Sequence, residues 1–176
     1  ATASYGQGVY QKPSASVNFN LREKKWNFFG SYSYSQPMNF TYFYITRKFF
    51  DQDHNLASTF EQESYTKQPF MAHNTRLGVD FYASQKTVIG VMVNGYWNNG
   101  MRDGTTNATI KDKDGLLNYT TKTDILSSEK RFNGFGNLNF KHTFDSTGKE
   151  LTADIDFGSF GSTTVQYVRY VNSFHD

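Results

Sequence analysis

Asp112-Lys113-Asp114-Gly115 places alternate carboxylates ahead of a turn glycine, the way a loop opens around a hard cation such as calcium. No bidentate acid follows at the spacing an EF-hand requires, so a surface turn accounts for these residues better. Asp154 and Asp156 lie two apart and would project from one face of a strand, as paired carboxylates or a cation site facing a lumen. Hydration of a water-facing wall explains them more simply. His54, His73, His142 and His175 are scattered without metal-ligand spacing. Serines coexist with His and Asp, but no G-x-S-x-G elbow occurs, and a triad needs convergence in space that no spacing here supplies. The chain has no cysteine, which excludes disulfides, thiolate metal sites and cysteine nucleophiles. No catalytic, cofactor-binding or metal-binding residue is assigned, and the expectation is a protein that is not an enzyme and takes no cofactor.

The elements that carry these residues are read from hydrophobic alternation. Ala15, Val17, Phe19 and Leu21 alternate with Ser16, Asn18, Asn20 and Arg22; Trp26, Phe28, Gly30, Tyr32 and Tyr34 then alternate with Asn27, Ser31, Ser33 and Ser35. A period of two is the signature of a strand with different surroundings on its two sides. The register recurs in Leu77/Val79/Phe81, Ile89/Val91/Val93/Gly95/Trp97, Phe132/Gly134/Gly136/Leu138/Phe140 and Leu151/Ala153/Ile155/Phe157, and none of these positions is charged. The opposite positions hold Arg76, Asp80, Asn94, Tyr96, Asn133, Asn137, Asn139, Lys141, Asp154 and Asp156. Phe29 and Phe135 break the rule by pointing to the polar side, where they would support a plug or a packed lumen.

Composition narrows the class. With 176 residues the length suits one domain, 18% of residues are aromatic, and mean hydropathy is −0.65, so no run approaches a spanning helix. A membrane β-barrel can be hydrophilic on average because only alternate residues meet lipid, with aromatic girdles near both interfaces. Trp26, Tyr32, Tyr34, Trp97 and Phe144 stand toward strand ends, where such girdles form. A net charge of +2 without a basic stripe argues against a nucleic-acid surface.

The fold expected is all-β, an antiparallel up-and-down meander of about eight strands that forms part of, or closes as, an outer-membrane β-barrel. The strands are placed at Pro13–Arg22, Trp26–Gln36, Met38–Phe50, Leu56–Thr66, Met71–Ala83, Thr87–Asn98, Arg131–Phe144 and Glu150–Phe160. Turns at Arg22–Lys25, Phe50–Asn55, Ala83–Lys86 and Asp145–Lys149 are put on one rim. Connections at Gln36–Asn39 and Lys67–Phe70, with the long stretch Asn98–Lys130, are put on the other. That stretch, in which Ala108/Ile110 and Leu117/Tyr119 hint at a hairpin, is the first candidate for external contact. Ala1–Tyr5 reads as the tail of a strand and Thr163–Tyr170 continues the alternation, so the chain is expected to be a single barrel segment from a larger polypeptide.

Tyr5-Gly6-Gln7-Gly8, Lys25-Trp26-Asn27-Phe28-Phe29-Gly30-Ser31-Tyr32-Ser33-Tyr34, Arg76-Leu77-Gly78-Val79-Asp80-Phe81, Phe140-Lys141-His142-Thr143-Phe144-Asp145 and Gly148-Lys149-Glu150-Leu151 stand in this order along nearly the whole chain. In these phrases it resembles the outer-membrane β-barrel family related to TonB-dependent receptors of Bacteroidetes-type bacteria. The resemblance implies a parent with a plug domain inside a barrel of about 22 strands, importing a bulky nutrient with energy passed from the inner membrane. No plug and no energy-coupling box stand in these residues, so the implied role is a wall segment. Ligand contacts vary within that family and none is carried over. Asn39-Phe40-Thr41, Asn107-Ala108-Thr109 and Asn118-Tyr119-Thr120 match a glycosylation acceptor, a chance match in a bacterial outer membrane.

Partners expected on this reading are outer-membrane lipid, the remainder of the same polypeptide and a bulky ligand. Two other readings stay open on the residues alone: a complete eight-stranded membrane barrel with a structural or adhesive role, and a soluble carbohydrate-binding β-sandwich with its apolar faces packed together.

Overall fold

The structure is a computed structural model, and it describes residues 1–145 and 148–174. Its regular elements are all strands: β1 (Thr2–Gln7), β2 (Gln11–Glu23), β3 (Trp26–Ser35), β4 (Met38–Phe50), β5 (Leu56–Ser84), β6 (Thr87–Asp112), β7 (Leu117–Thr143) and β8 (Glu150–Phe174). They form one 8-stranded antiparallel sheet in the order β1-β2-β3-β5-β6-β7-β8, with β4 paired to β5. The all-β meander is thus as the alternation predicts. All strands share one sheet, where a sandwich needs two, and among the described residues β1 and β8 stand at the ends of the order instead of pairing with each other.

The expected reversals at Gln36–Asn39 and Lys67–Phe70 are absent. β3 pairs with Ala72–Phe81 of β5, and β4 pairs with Leu56–Pro69 of the same strand, both antiparallel. The chain therefore continues past Pro37 along one neighbour instead of turning back. Prolines at 37 and 69 read as turn formers because each lacks a ladder donor. Here the Phe70 amide donates to the Pro37 carbonyl at 3.2 Å, so the pairing is carried across the interruption. The two strands expected at Leu56–Thr66 and Met71–Ala83 are one, and the count is kept by β1, seen only as a tail in the sequence.

Asn98–Lys130 is also not a loop. β6 and β7 extend into it and meet at a tight turn after Asp112. That turn and the Phe50–Asn55 turn share one construction. The Asp112 amide donates to the Leu116 carbonyl at 2.9 Å, and the Asp51 amide to Asn55 at 2.9 Å. Asp112 Oδ1 accepts from the amides of Asp114 and Leu116 at 2.9 and 2.8 Å, and Asp51 Oδ1 from Asp53 and Asn55 at 2.9 and 2.8 Å. A left-handed residue completes each, Gly115 at φ 82° and His54 at φ 63°.

The chain forms two compact units. Unit 1 comprises Ala1–Pro37, Phe70–Asn99 and Lys130–Thr163; unit 2 comprises Met38–Pro69, Gly100–Glu129 and Thr164–Asp176. The turns after Glu23 and Ser84 belong to unit 1, whereas the Phe50–Asn55 turn belongs to unit 2 with the Asp112–Leu116 turn. This corrects its expected grouping with Arg22–Lys25. The expected contrast of short turns with long loops is replaced by tight turns in both units. Ser146 and Thr147 of the expected Asp145–Lys149 turn, and His175, lie outside the described residues.

Ala72, 5% exposed, is the one buried hydrophobic residue among those described. A water-soluble domain of this size buries about 70% of its chain surface. These strands instead leave their large apolar side chains uncovered.

Candidate functional site

Direct cross-strand partners share a face, so the registers assign both sides of unit 1. One side carries the rows Val17–Tyr32–Thr75, Phe19–Gly30–Leu77 and Leu21–Phe28–Val79, flanked by Ala15–Tyr34–His73 and Glu23–Trp26–Phe81. Phe19 is 51% exposed, Leu21 60% and, on β6, Val91 44%. The alternation predicts this face, and no described residue covers it.

Aromatic groups close the face at both ends. Trp26 packs on Phe81 with centroids 4.5 Å apart and stacks on Phe28 at 6.1 Å. At the other end His73 stacks on Trp97 at 4.8 Å and 11°, meets Tyr34 at 5.1 Å, and shares a hydrogen bond of 2.7 Å between Nδ1 and the Tyr32 hydroxyl. Phe144 packs edge-on against His142 at 4.7 Å. Trp26 and Tyr34 are eight residues apart on β3, about 26 Å along a strand, which matches the apolar band of about 25 Å in membrane barrels.

The opposite side of unit 1 is a hydrogen-bonded polar surface. Asn27 Nδ2 donates to Asp80 Oδ2 at 3.3 Å, Asn139 Nδ2 to Asn137 Oδ1 at 3.1 Å, and Asn137 Nδ2 to Asp156 Oδ1 at 2.7 Å. Gly90 lets this surface close up from both sides. A Cβ there would stand 2.6 Å from Asn139 Oδ1 and 2.9 Å from Asp80 Oδ1. Asp156, a sequence candidate, is therefore engaged by an amide and not by a second acid.

Phe29 sits on this polar side as its position in the alternation requires. Its ring covers Gly78, where any Cβ would collide with it. The Arg76 guanidinium lies 5.9 Å from the ring centroid, and Arg76 Nε donates to Met92 Sδ at 3.0 Å. Arg76 has no acidic partner among the described residues. Around it is a groove of about 250 Å³ lined by Ser31, Asn74, Asn94, Tyr96, Asn133 and Phe135. Sequence alternation puts these side chains on one face, but only the register shows that they converge from β3, β5, β6 and β7.

The other candidates are held apart. The Asp112 carboxylate is occupied by its own turn amides. His54 forms a turn, His73 joins the aromatic group, and His142 Nδ1 shares a hydrogen bond of 2.8 Å with Thr87 Oγ1. Among the described residues no three His, Cys, Asp or Glu side chains gather as metal ligands.

Unit 2 does not sort its faces. Phe40–Lys67, Tyr42–Tyr65, Tyr44–Glu63 and Thr46–Glu61 share one side, and Phe43–Ser64, Ile45–Gln62 and Arg47–Phe60 the other. Lys111 Nζ donates to Glu61 Oε2 at 2.7 Å and the Tyr42 hydroxyl to Glu63 Oε1 at 2.9 Å. These bonds to carboxylates raise both the Lys111 and Tyr42 pKa values above their ordinary ones.

The fold and its two-sided sheet define an antiparallel meander with one apolar and one polar face in unit 1. No family model matches the chain, and no curated protein matches it.

Proposed function

We propose that the chain is a wall segment of an outer-membrane β-barrel of the TonB-dependent-receptor type that takes up a bulky nutrient. The observation that carries this reading is the uncharged, uncovered face of unit 1, bounded at one end by Trp26 and Phe81 and at the other by Tyr34, His73 and Trp97. Burying that face in lipid removes it from water, and amphipathic rings favour the boundary between headgroups and hydrocarbon. The polar face, with its amide and carboxylate ladder, is the side suited to a water-filled lumen and to ligand. Unit 2, charged on both sides of its β4–β5 ribbon, suits water on both faces. The wall has a passive role in this proposal, with no catalysis and no cofactor.

Fractionation of the native cells tests it, with immunoblotting and peptide mass spectrometry against these residues. The proposal predicts recovery in the outer-membrane fraction within a polypeptide several times larger than 20.2 kDa. Recovery in the soluble fraction would overturn the membrane assignment. An outer-membrane species of 20.2 kDa would overturn the segment assignment in favour of a small complete barrel.

A further inference from the structure

Two turns of unit 1 meet at Phe144. The Thr143 amide donates to the Lys86 carbonyl at 2.8 Å, the Phe144 amide to the Lys149 carbonyl at 2.9 Å, and Lys86 Nζ to the Phe144 carbonyl at 2.9 Å. Lys25 makes a bond of the same kind, to the Ala83 carbonyl at 3.3 Å, so a lysine held by a carbonyl is not distinctive by itself. What differs at Phe144 is the company. Lys149 stands in the same turn, and neither it nor Lys86 has an acidic partner among the described residues. The acids of this turn are Asp145 and Glu150, and Glu150 is taken by Lys141 at 2.7 Å. An ammonium has three donors, so one bond to a carbonyl leaves Lys86 with two.

His142 adds a donor whose tautomer is fixed by its neighbours. The Lys86 amide donates to Ser84 Oγ at 3.1 Å, and Ser84 Oγ donates to Thr87 Oγ1 at 3.1 Å. The Thr87 proton is left for His142 Nδ1, 2.8 Å away, so the neutral imidazole carries its own proton on Nε2. That N–H has no partner among the described residues, and the ring meets the exposed Phe144 edge-on.

These donors stand at the end of the uncharged face. His142 follows Leu138 and Phe140 on one side of β7, and Thr87 precedes Ile89 and Val91 on one side of β6. Ile89, Leu138 and Leu151 are exposed beyond them. A ligand that engages both parts carries an anion and an apolar body joined directly, as a phospholipid does and a free anion does not.

We infer that this end of unit 1 binds the phosphate of an anionic glycerophospholipid through Lys86, Lys149 and His142 Nε2, with its acyl chains along Ile89, Leu138 and Leu151. The inference rests on the proposed function in that the apolar face of unit 1 must lie in lipid. It adds a headgroup class and a defined site that the wall assignment does not specify.

The test uses the full polypeptide carrying this chain, folded in micelles with equal amounts of phosphatidylglycerol and phosphatidylcholine of the same acyl chains. Native mass spectrometry reads which lipid stays bound. Phosphatidylglycerol is expected to be retained at least about tenfold over phosphatidylcholine, at about fivefold for each lysine beside an anionic headgroup. Lys86→Gln and Lys149→Gln should each lower that preference about fivefold, and the double variant should abolish it. Lys149 makes no side-chain contact with a described residue, so its variant reads the site even where Lys86→Gln fails to fold. Lys48→Gln, in unit 2, should leave the preference unchanged. Equal retention of the two lipids by the wild type, an unchanged preference in Lys149→Gln, or an equal loss in Lys48→Gln would overturn the inference. Complete displacement of phosphatidylglycerol by inorganic phosphate at the same concentration would also overturn it, in favour of a site for free anions. Insertion of the wild type into phosphatidylcholine vesicles is scored separately. Failure to insert overturns the wall assignment and this inference with it, whereas insertion without a phosphatidylglycerol preference overturns the inference alone.

Discussion

Units 1 and 2 are built from the same kind of strand, yet only unit 1 separates apolar from polar residues. On β6 the odd positions Ile89, Val91, Val93, Gly95 and Trp97 are uncharged in unit 1, while Asp103 and Lys111 occupy odd positions in unit 2. On β5 the odd positions are Thr75, Leu77, Val79 and Phe81 in one unit and Glu61, Glu63 and Lys67 in the other. Strand formation alone requires neither pattern, because the ladder is made by backbone groups. On the proposed reading, the difference reports what each face meets. A face against hydrocarbon excludes charge, while a ribbon wet on both sides tolerates aromatic and ionised residues on either.

The largest effect expected from breaking this contrast is a charge in the apolar band. Val91→Arg should cost about 2–4 kcal/mol or block assembly, whereas Asn107→Arg, also on β6 but in unit 2, should stay within about 0.5 kcal/mol. Urea unfolding from lipid or detergent would read both, and equal costs would remove the distinction between the units.

A smaller effect is expected on the polar face of unit 1. Gly78→Val forces the Phe29 ring off the backbone it covers and should cost about 1–3 kcal/mol. Asn137→Lys should be mild, within about 1 kcal/mol, because an ammonium can replace the amide as donor to Asp156, although Asn139 loses its acceptor at Asn137 Oδ1. A severe Asn137→Lys phenotype would show that this face tolerates charge no better than the apolar one.

The smallest effect belongs to unit 2 and to alkaline pH. Tyr42 and Lys111 both hold their protons more tightly when folded, chiefly through hydrogen bonds to Glu63 and Glu61. A raised folded pKa contributes stability that is complete below the unfolded values, 10.0 for Tyr42 and 10.5 for Lys111, and is lost as pH rises through the folded ones. Stability should therefore decline above pH 10, and Glu63→Gln should bring the Tyr42 phenolate absorbance transition back toward 10.0. A transition unmoved by Glu63→Gln would remove the Tyr42–Glu63 bond from the account.

Much of unit 1 is legible in the sequence because alternation is local. Phe19, Leu77 and Val91 fall on the uncharged face with no knowledge of their neighbours, and so do Asn137 and Asp156 on the polar one. What is not legible depends on pairing. Pro37 and Pro69 look like turn residues, and only the shared partner β5 shows a strand carried past them. Asp112 and Gly115 do signal a turn, but their spacing leaves open how far the strands on either side extend. Arg76, Asn94 and Asn133 are separate polar positions in the chain, and a groove appears among them only once β5, β6 and β7 are placed side by side.

Single-cysteine labelling tests the central claim most directly, since these residues contain no native cysteine. Fluorophores on Val91→Cys and Phe132→Cys, and on Asn133→Cys and Asn137→Cys, would be challenged in membranes with a lipid-resident quencher and a water-soluble one. Quenching from lipid at Val91 and Phe132, and from water at Asn133 and Asn137, is the predicted result. Quenching from water at all four positions would contradict it.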